Sequence, residues 1–210
     1  MSIIHRTTVT PTKLELLHTW LPTRPWYRGS AEPELAKAGG FRLDDPEGQV
    51  GIEFMVVREA SSGAYLVPLT YRGAPLEGAE HALVGTMEHG VLGPRWAYDG
   101  CHDPVLTAQL LALVEGRVPA HAQSISDALD REVARSYAGE GPIGELGAPE
   151  DTADGTGFTV TGGLTLRLHR ALTPVDGDAP PRGAVGHVSG VWEQSDGTRV
   201  RSLVVTVGAV

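Results

Sequence analysis

The stretch Val50-Gly51-Ile52-Glu53-Phe54-Met55-Val56-Val57-Arg58-Glu59-Ala60-Ser61-Ser62-Gly63-Ala64-Tyr65-Leu66-Val67-Pro68-Leu69-Thr70-Tyr71 decides the fold. Val50, Ile52, Phe54 and Val56 recur at every second position, the period of a half-buried strand. Ser61-Ser62-Gly63 turns the chain, and Tyr65, Val67, Leu69 and Tyr71 form a second alternating run. Two such runs around a short polar turn predict an antiparallel pair. Pro68 has no amide hydrogen for a ladder, which places the second strand at an edge or a bulge.

Upstream, Thr12-x-x-Glu15 forms a capping box with Pro11 at the start of a helical run. Leu14, Leu17 and Leu21 share one face, and Pro22 ends the helix. Ser2–Val9 is β-branched enough for a short strand. Between helix and sheet lies Trp20-Leu21-Pro22-Thr23-Arg24-Pro25-Trp26-Tyr27-Arg28-Gly29. Its prolines force an extended path, and its aromatics fit a plug between the two elements. Arg24, Trp26, Tyr27 and Arg28 are also a candidate cation–π or sugar-stacking platform.

Downstream, residues 80–87 form a possible third strand. Asp103-Pro104 then opens a helix with Asp as N-cap and Pro at its first position. Leu106, Leu110, Leu113 and Val114 give that helix its buried face, and Gly116 ends it. A second helix is expected from Ser124-x-x-Asp127, with Ile125, Leu129 and Val133 on one side. Gly139 to Gly157 is rich in glycine and acid, with no Lys or Arg, and reads as a mobile linker. Phe158–Leu172, Val185–Trp192 and Val200–Val207 are β again, the last two joined by a Ser195-Asp196-Gly197 hairpin turn. The expected class is therefore α+β: a curved antiparallel sheet packed on helices, then two helices and a second antiparallel β-rich half.

A chain of 210 residues is long enough for a sizeable core. The net charge of −9 opposes nucleic acid or an anionic membrane as partner, because phosphate binding needs a basic stripe. A single cysteine excludes an internal disulfide framework. The N-terminus lacks a signal-peptide pattern and no apolar run is long enough for a membrane span, so a cytoplasmic location is expected. The basic residues are nearly all Arg. Eight histidines show no i, i+4 His-Glu-x-x-His spacing, and no metal or other cofactor is expected. No Gly-x-Ser-x-Gly elbow occurs. His102 with Asp103 is a formal acid–base pair, although Asp103 is better explained as a helix cap. Cys101 reads either as a nucleophile at a helix N-terminus or as a small buried hydrophobe.

Several segments together resemble the N-terminal cap domain of maltokinases, which phosphorylate maltose with ATP. They are Trp20-Leu21-Pro22 with Trp26-Tyr27 and Gly29, Val67-Pro68-Leu69-Thr70-Tyr71-Arg72, Ala82-Leu83-Val84-Gly85-Thr86, and Tyr98-Asp99-x-x-His102-Asp103-Pro104. The resemblance covers residues 14–116 and implies a cystatin-like sheet with one helix packed against it. It adds Tyr98, Asp99 and His102 to the aromatic platform as candidate contacts for a ligand or partner. In that family the cap is not the catalytic part.

Phosphoryl transfer needs a catalytic base, metal-holding carboxylates and a phosphate-contacting Lys. The sequence has no His-Gly-Asp-type loop followed by an Asp for magnesium. Leu164-Thr165-Leu166-Arg167-Leu168 resembles a nucleotide-lobe strand with Arg167 where the lysine would stand. Gly155-x-Gly157 and Gly162-Gly163 read as linker and turn chemistry rather than as a phosphate loop. The expected organisation is a cap-like domain over 1–119, a connecting helix over 120–138, a flexible linker over 139–157 and a β-rich segment over 158–210. That last segment is either a remnant nucleotide lobe or an unrelated module. The expected function is a non-catalytic, stand-alone cap-like accessory protein of maltose, trehalose or α-glucan metabolism, partnered by a sugar kinase or α-glucan enzyme or by carbohydrate. The alternative is a small enzyme or binding protein for a sugar or sugar phosphate, with its site between the two β halves.

Overall fold

A computed structural model describes residues 9–123, 128–177 and 179–209. In chain order it contains β1 (Val9–Thr10), α1 (Lys13–Trp20), β2 (Leu35–Leu43), β3 (Gly51–Glu59), β4 (Gly63–Arg72), β5 (Leu83–His89) and β6 (Gly93–Asp99). Then come α2 (Pro104–Glu115), β7 (His121–Ala122), β8 (Ala134–Tyr137), β9 (Glu150–Thr152) and β10 (Gly155–Val160). The chain closes with β11 (Leu164–Leu168), β12 (Ala171–Leu172), β13 (Ala184–Glu193) and β14 (Arg199–Ala209). The described protein is mainly β, with two short α-helices. Its strands follow one path, β1-β5-β6-β4-β3-β2-β13-β14-β11-β10-β9, with β12 on β4, β7 on β2 and β8 on β13.

Local chemistry accounts for both helices. Thr12 accepts from the Glu15 amide at 3.2 Å and its own amide donates to the Glu15 carboxylate at 2.7 Å, which closes the expected capping box. Asp103 accepts from the Val105 amide at 2.9 Å, Pro104 follows it, and Gly116 ends α2 at φ 77°.

The antiparallel pair forms as expected, with its register running from Gly51↔Tyr71 to Glu59↔Gly63. It is buried on both faces rather than one. Ile52, Phe54 and Val56 belong to the core shared with α2, and Met55 and Val57 to the core under α1. A helix on each side explains why the intervening positions are apolar too. Pro68 is likewise not at a sheet edge, since β4 lies between β3 and β6. On its second side β4 pairs with β12 at Ala64 and Tyr65 and with β6 from Leu69 onward. Pro68 falls in the gap between these partners, where no ladder pair is lost.

Two further expectations are corrected. The helix over 120–138 is not observed in the described residues: β7 and β8 occupy its ends, and Leu129 bridges to His121. Pairing of β8 with β13, from Ala134↔Ser189 to Tyr137↔Gly186, outweighs the local i, i+4 spacing. Residues 124–127, where that helix was to begin, lie outside the described residues, as does most of the Ser2–Val9 strand. The stretch Gly139 to Gly157 is packed: Ile143 is buried, Leu146 bridges to Val160, and β9 pairs with β10. Ile143 and Leu146 suffice to hold it because both pack on the principal core. Of the two helices expected between the halves, α2 is the one found among the described residues.

The principal core is continuous across both halves. It joins Phe41, Phe54, Leu66, Leu106 and Leu110 to Phe158, Leu166, Val188 and Val205. By contrast, β2 and β13 meet at a single pair, Gly39↔Trp192, and diverge on either side.

Candidate functional site

Trp26 is fully buried. Its ring lies 5.9 Å from Trp20 and 6.1 Å from Tyr65, between the end of α1 and the sheet. Of the two readings of the aromatic join, the plug is the one that describes Trp26. The Tyr27 ring lies tilted against Tyr65 with centres 5.0 Å apart, and its hydroxyl donates to the Ser30 carbonyl at 3.1 Å. Burial and the nearby Glu59 push its phenol up to about 12. Arg24 lies 4.8 Å from the Trp20 ring centre and bonds Thr23. Arg28 is exposed and donates to the Ala153 carbonyl at 3.2 Å, tying the join to the β9–β10 turn.

Behind Trp26 sits Arg170, which sequence reasoning missed. It is fully buried, with its guanidinium 4.9 Å from the Trp26 ring centre. Nη2 donates to both oxygens of Asp99, at 2.8 and 2.6 Å, and to Cys101 Sγ at 3.2 Å. Nε donates to Thr156 Oγ1 at 2.7 Å, and that hydroxyl donates to Asp151 at 2.5 Å. Burial disfavours the charge, but the field of Asp99 outweighs it and holds Arg170 firmly protonated. Burial pushes the Cys101 thiol far up, so the nucleophile reading has no thiolate and the buried-hydrophobe reading accounts for the residue. The available sequence signal was the last residue of Leu168-His169-Arg170, a charge just past a strand end. Arg167, which drew attention instead, is exposed on β11.

The motif ending at Asp103 is committed to structure in the same way. Arg72 donates to both Asp103 oxygens at 2.7 Å. Asp99 also caps the turn Gly100–His102 by accepting from the Cys101 amide at 3.1 Å. Tyr98 is buried in a separate cluster with Ala79 and Ala82, its hydroxyl accepting from the Leu76 amide at 2.9 Å. His102 Nδ1 lies 3.1 Å from His81 Nε2 with the rings edge to face. Burial first, then the neighbouring imidazole and Arg170, holds His102 below its ordinary range and neutral. The structure therefore joins Trp26 to Asp99 through Arg170, with Arg28 and His102 at the margins, and sends Tyr98 elsewhere. Among the described residues no group of His, Cys, Asp and Glu has metal-holding geometry.

Open space lies where β2 and β13 diverge. A cleft of about 620 Å³ is lined by Leu35 and Arg58 on one side and by Trp192, Gln194 and Asp196 on the other. Arg58 crosses it to the Gln194 carbonyl at 3.1 Å. A second cleft, of about 520 Å³, lies between Lys37, Gly39 and Gly40 on one side and Ala122, Gln123 and residues 129–132 on the other.

No helix among the described residues is long and apolar enough to cross a membrane. No curated protein matches the chain. The family model of the maltokinase N-terminal cap domain matches residues 20–103, a span that runs from the Trp20 end of α1 through β6 to the Asp103 cap of α2 and marks this part of the chain as similar to that domain.

Proposed function

We propose that the protein is a non-catalytic accessory module of maltose, trehalose or α-glucan metabolism, acting through a protein partner such as a sugar kinase or α-glucan enzyme. The observation that carries this reading is the match to a maltokinase cap over 20–103, in which Asp99 and Asp103 are occupied by Arg170 and Arg72. Carboxylates held in this way anchor the fold and leave the motif no free acid for chemistry. Pure protein with ATP, magnesium and maltose is expected to show no maltose-dependent ATP consumption, while immobilised protein retains a sugar kinase or α-glucan enzyme. Magnesium- and maltose-dependent turnover by pure protein overturns the reading.

A second reading, a sugar-binding protein with its site between the halves, draws support from the 620 Å³ cleft beside Trp192. A saturable change in tryptophan fluorescence with maltose, lost in Arg58→Ala, favours it over the first.

A further inference from the structure

The chain has seventeen basic residues, of which two are lysines, Lys13 and Lys37. The fold brings both to the field of one buried carboxylate, Glu53. Lys13, from the first turn of α1, makes the ion pair with Glu53 and lies over the Tyr71 ring. Tyr71 donates to Glu53 Oε2 at 2.7 Å, and Gln123 donates to Oε1 at 2.9 Å. Three donors thus hold Glu53, and none of them comes from Lys37.

Lys37 lines the 520 Å³ cleft instead, and among the described residues it makes no hydrogen bond or ion pair. The two acids that line the same cleft have other partners. Glu132 pairs with Arg199, and Asp130 accepts from the Glu132 amide at 2.9 Å. Arg131 lines the same cleft, while Arg42 stands cross-strand from Glu53. The floor is bare backbone at Gly39 and Gly40, with φ of 151° and 124°. A side chain at Gly40 would stand 2.1 Å from the Phe54 carbonyl and 2.7 Å from the Gln123 amide, so the Phe54 backbone and Gln123 pack directly against this glycine.

We propose that this cleft binds a small oxyanion, phosphate or the phosphate group of a monoester, with the Lys37 ammonium as its principal cation and Arg131 at the rim. Surrounding protein desolvates the Lys37 ammonium and lowers its pKa, and Lys13 adds repulsion that Glu53 only partly offsets. An anion placed against it supplies the missing counter-charge. The net charge of −9 repels anions at long range, so saturable binding here requires a local arrangement of donors rather than a diffuse field. Binding stabilises the protonated amine and so weakens as pH rises through the Lys37 pKa. This inference stands apart from the accessory role and survives if no partner enzyme is found.

The pair of lysines makes the test direct, since protein labelled with ¹³C-lysine gives two side-chain signals. Titration with inorganic phosphate is expected to shift the Lys37 signal saturably and raise its pKa, compared with chloride at equal ionic strength. The Lys13 signal, locked to Glu53, holds still. Lys37→Gln is expected to weaken phosphate binding by about tenfold or more, with the unchanged Lys13 signal reporting an intact fold. Arg131→Ala produces a smaller loss. Glucose 1-phosphate binding more tightly than phosphate assigns the site to a monoester, and equal binding assigns it to free phosphate. The proposal fails if both lysines move together, if chloride matches phosphate, if Lys37→Gln binds phosphate undiminished, or if neutral maltose alone shifts the Lys37 signal.

Discussion

Two cations of this protein, Arg170 and Lys37, behave oppositely. Arg170 is sealed, carries four donated bonds to Asp99, Thr156 and Cys101, and joins segments about seventy residues apart. Lys37 stands in an open cleft and, among the described residues, makes no hydrogen bond or ion pair. The planar guanidinium spans several acceptors at once and suits a fixed interior junction. The ammonium on its flexible stem suits an exchangeable counter-ion. Burial and the paired Asp99 mark the first as architecture, and openness with an unmet charge marks the second as a place for a ligand.

The sharpest way to break that contrast is to remove the sealed cation. Arg170→Met leaves Asp99 ionised and buried, and is expected to cost roughly 3–5 kcal/mol in denaturant unfolding. Adding Asp99→Asn to that variant should recover part of the loss. A melting temperature within about 2 °C of the parent would show that the junction is dispensable. Trp26→Ala empties the space against which Arg170 packs and is expected to cost a comparable 3–5 kcal/mol or so.

Lys13→Met is the intermediate case, because Glu53 keeps Tyr71 and Gln123 but loses its ion pair. A loss of about 1–3 kcal/mol is expected at neutral pH. Burial tends to raise the Glu53 pKa, but Lys13 and the bond from Tyr71 outweigh it and leave the carboxyl below its ordinary range. Its contribution is therefore present above the unfolded carboxylate pKa and lost as pH falls through the folded one. Removing Lys13 raises the folded value, so the acid-unfolding midpoint, followed by circular dichroism, should move to higher pH. A midpoint that stays put would mean that Lys13 does not hold Glu53 ionised.

At the small end, Lys37→Gln and Arg28→Ala are each expected to change stability by less than about 0.5 kcal/mol. The Lys37 effect should appear only in phosphate. A large loss in chloride would place Lys37 among the structural cations and erase the comparison.

The features legible in the sequence are those fixed by neighbours along the chain. The Thr12–Glu15 box, the Asp103-Pro104 to Gly116 helix and the turns at Ser61-Ser62-Gly63 and Ser195-Asp196-Gly197 each depend on a few adjacent residues. The missed features depend on distant partners. Leu129 and Val133 carry helical spacing, yet β13 recruits the following residues into β8. Ile143 sits in a Gly-rich acidic stretch whose composition gave no sign that it reaches the core. Trp26 was legible as a plug, but not the Arg170 beneath it, because nothing around His169-Arg170 specifies a carboxylate at Asp99. Lys37 gave no signal at all until Glu53 was seen to be saturated by other donors.

The span between Asp99 and Arg170 also sets a timetable. These residues are 71 positions apart. At about 5–20 residues per second, a ribosome needs roughly 4–14 s to make the second after the first. Throughout that interval the cap-matching segment exists as a nascent chain whose Asp99 has no guanidinium to meet. The amide of Leu66, which donates to the Arg170 carbonyl at 2.8 Å, is also unmatched. The early half must therefore wait, loosely organised, for a residue synthesised long after its own strands, and a chaperone or early truncation would act on this protein within that window.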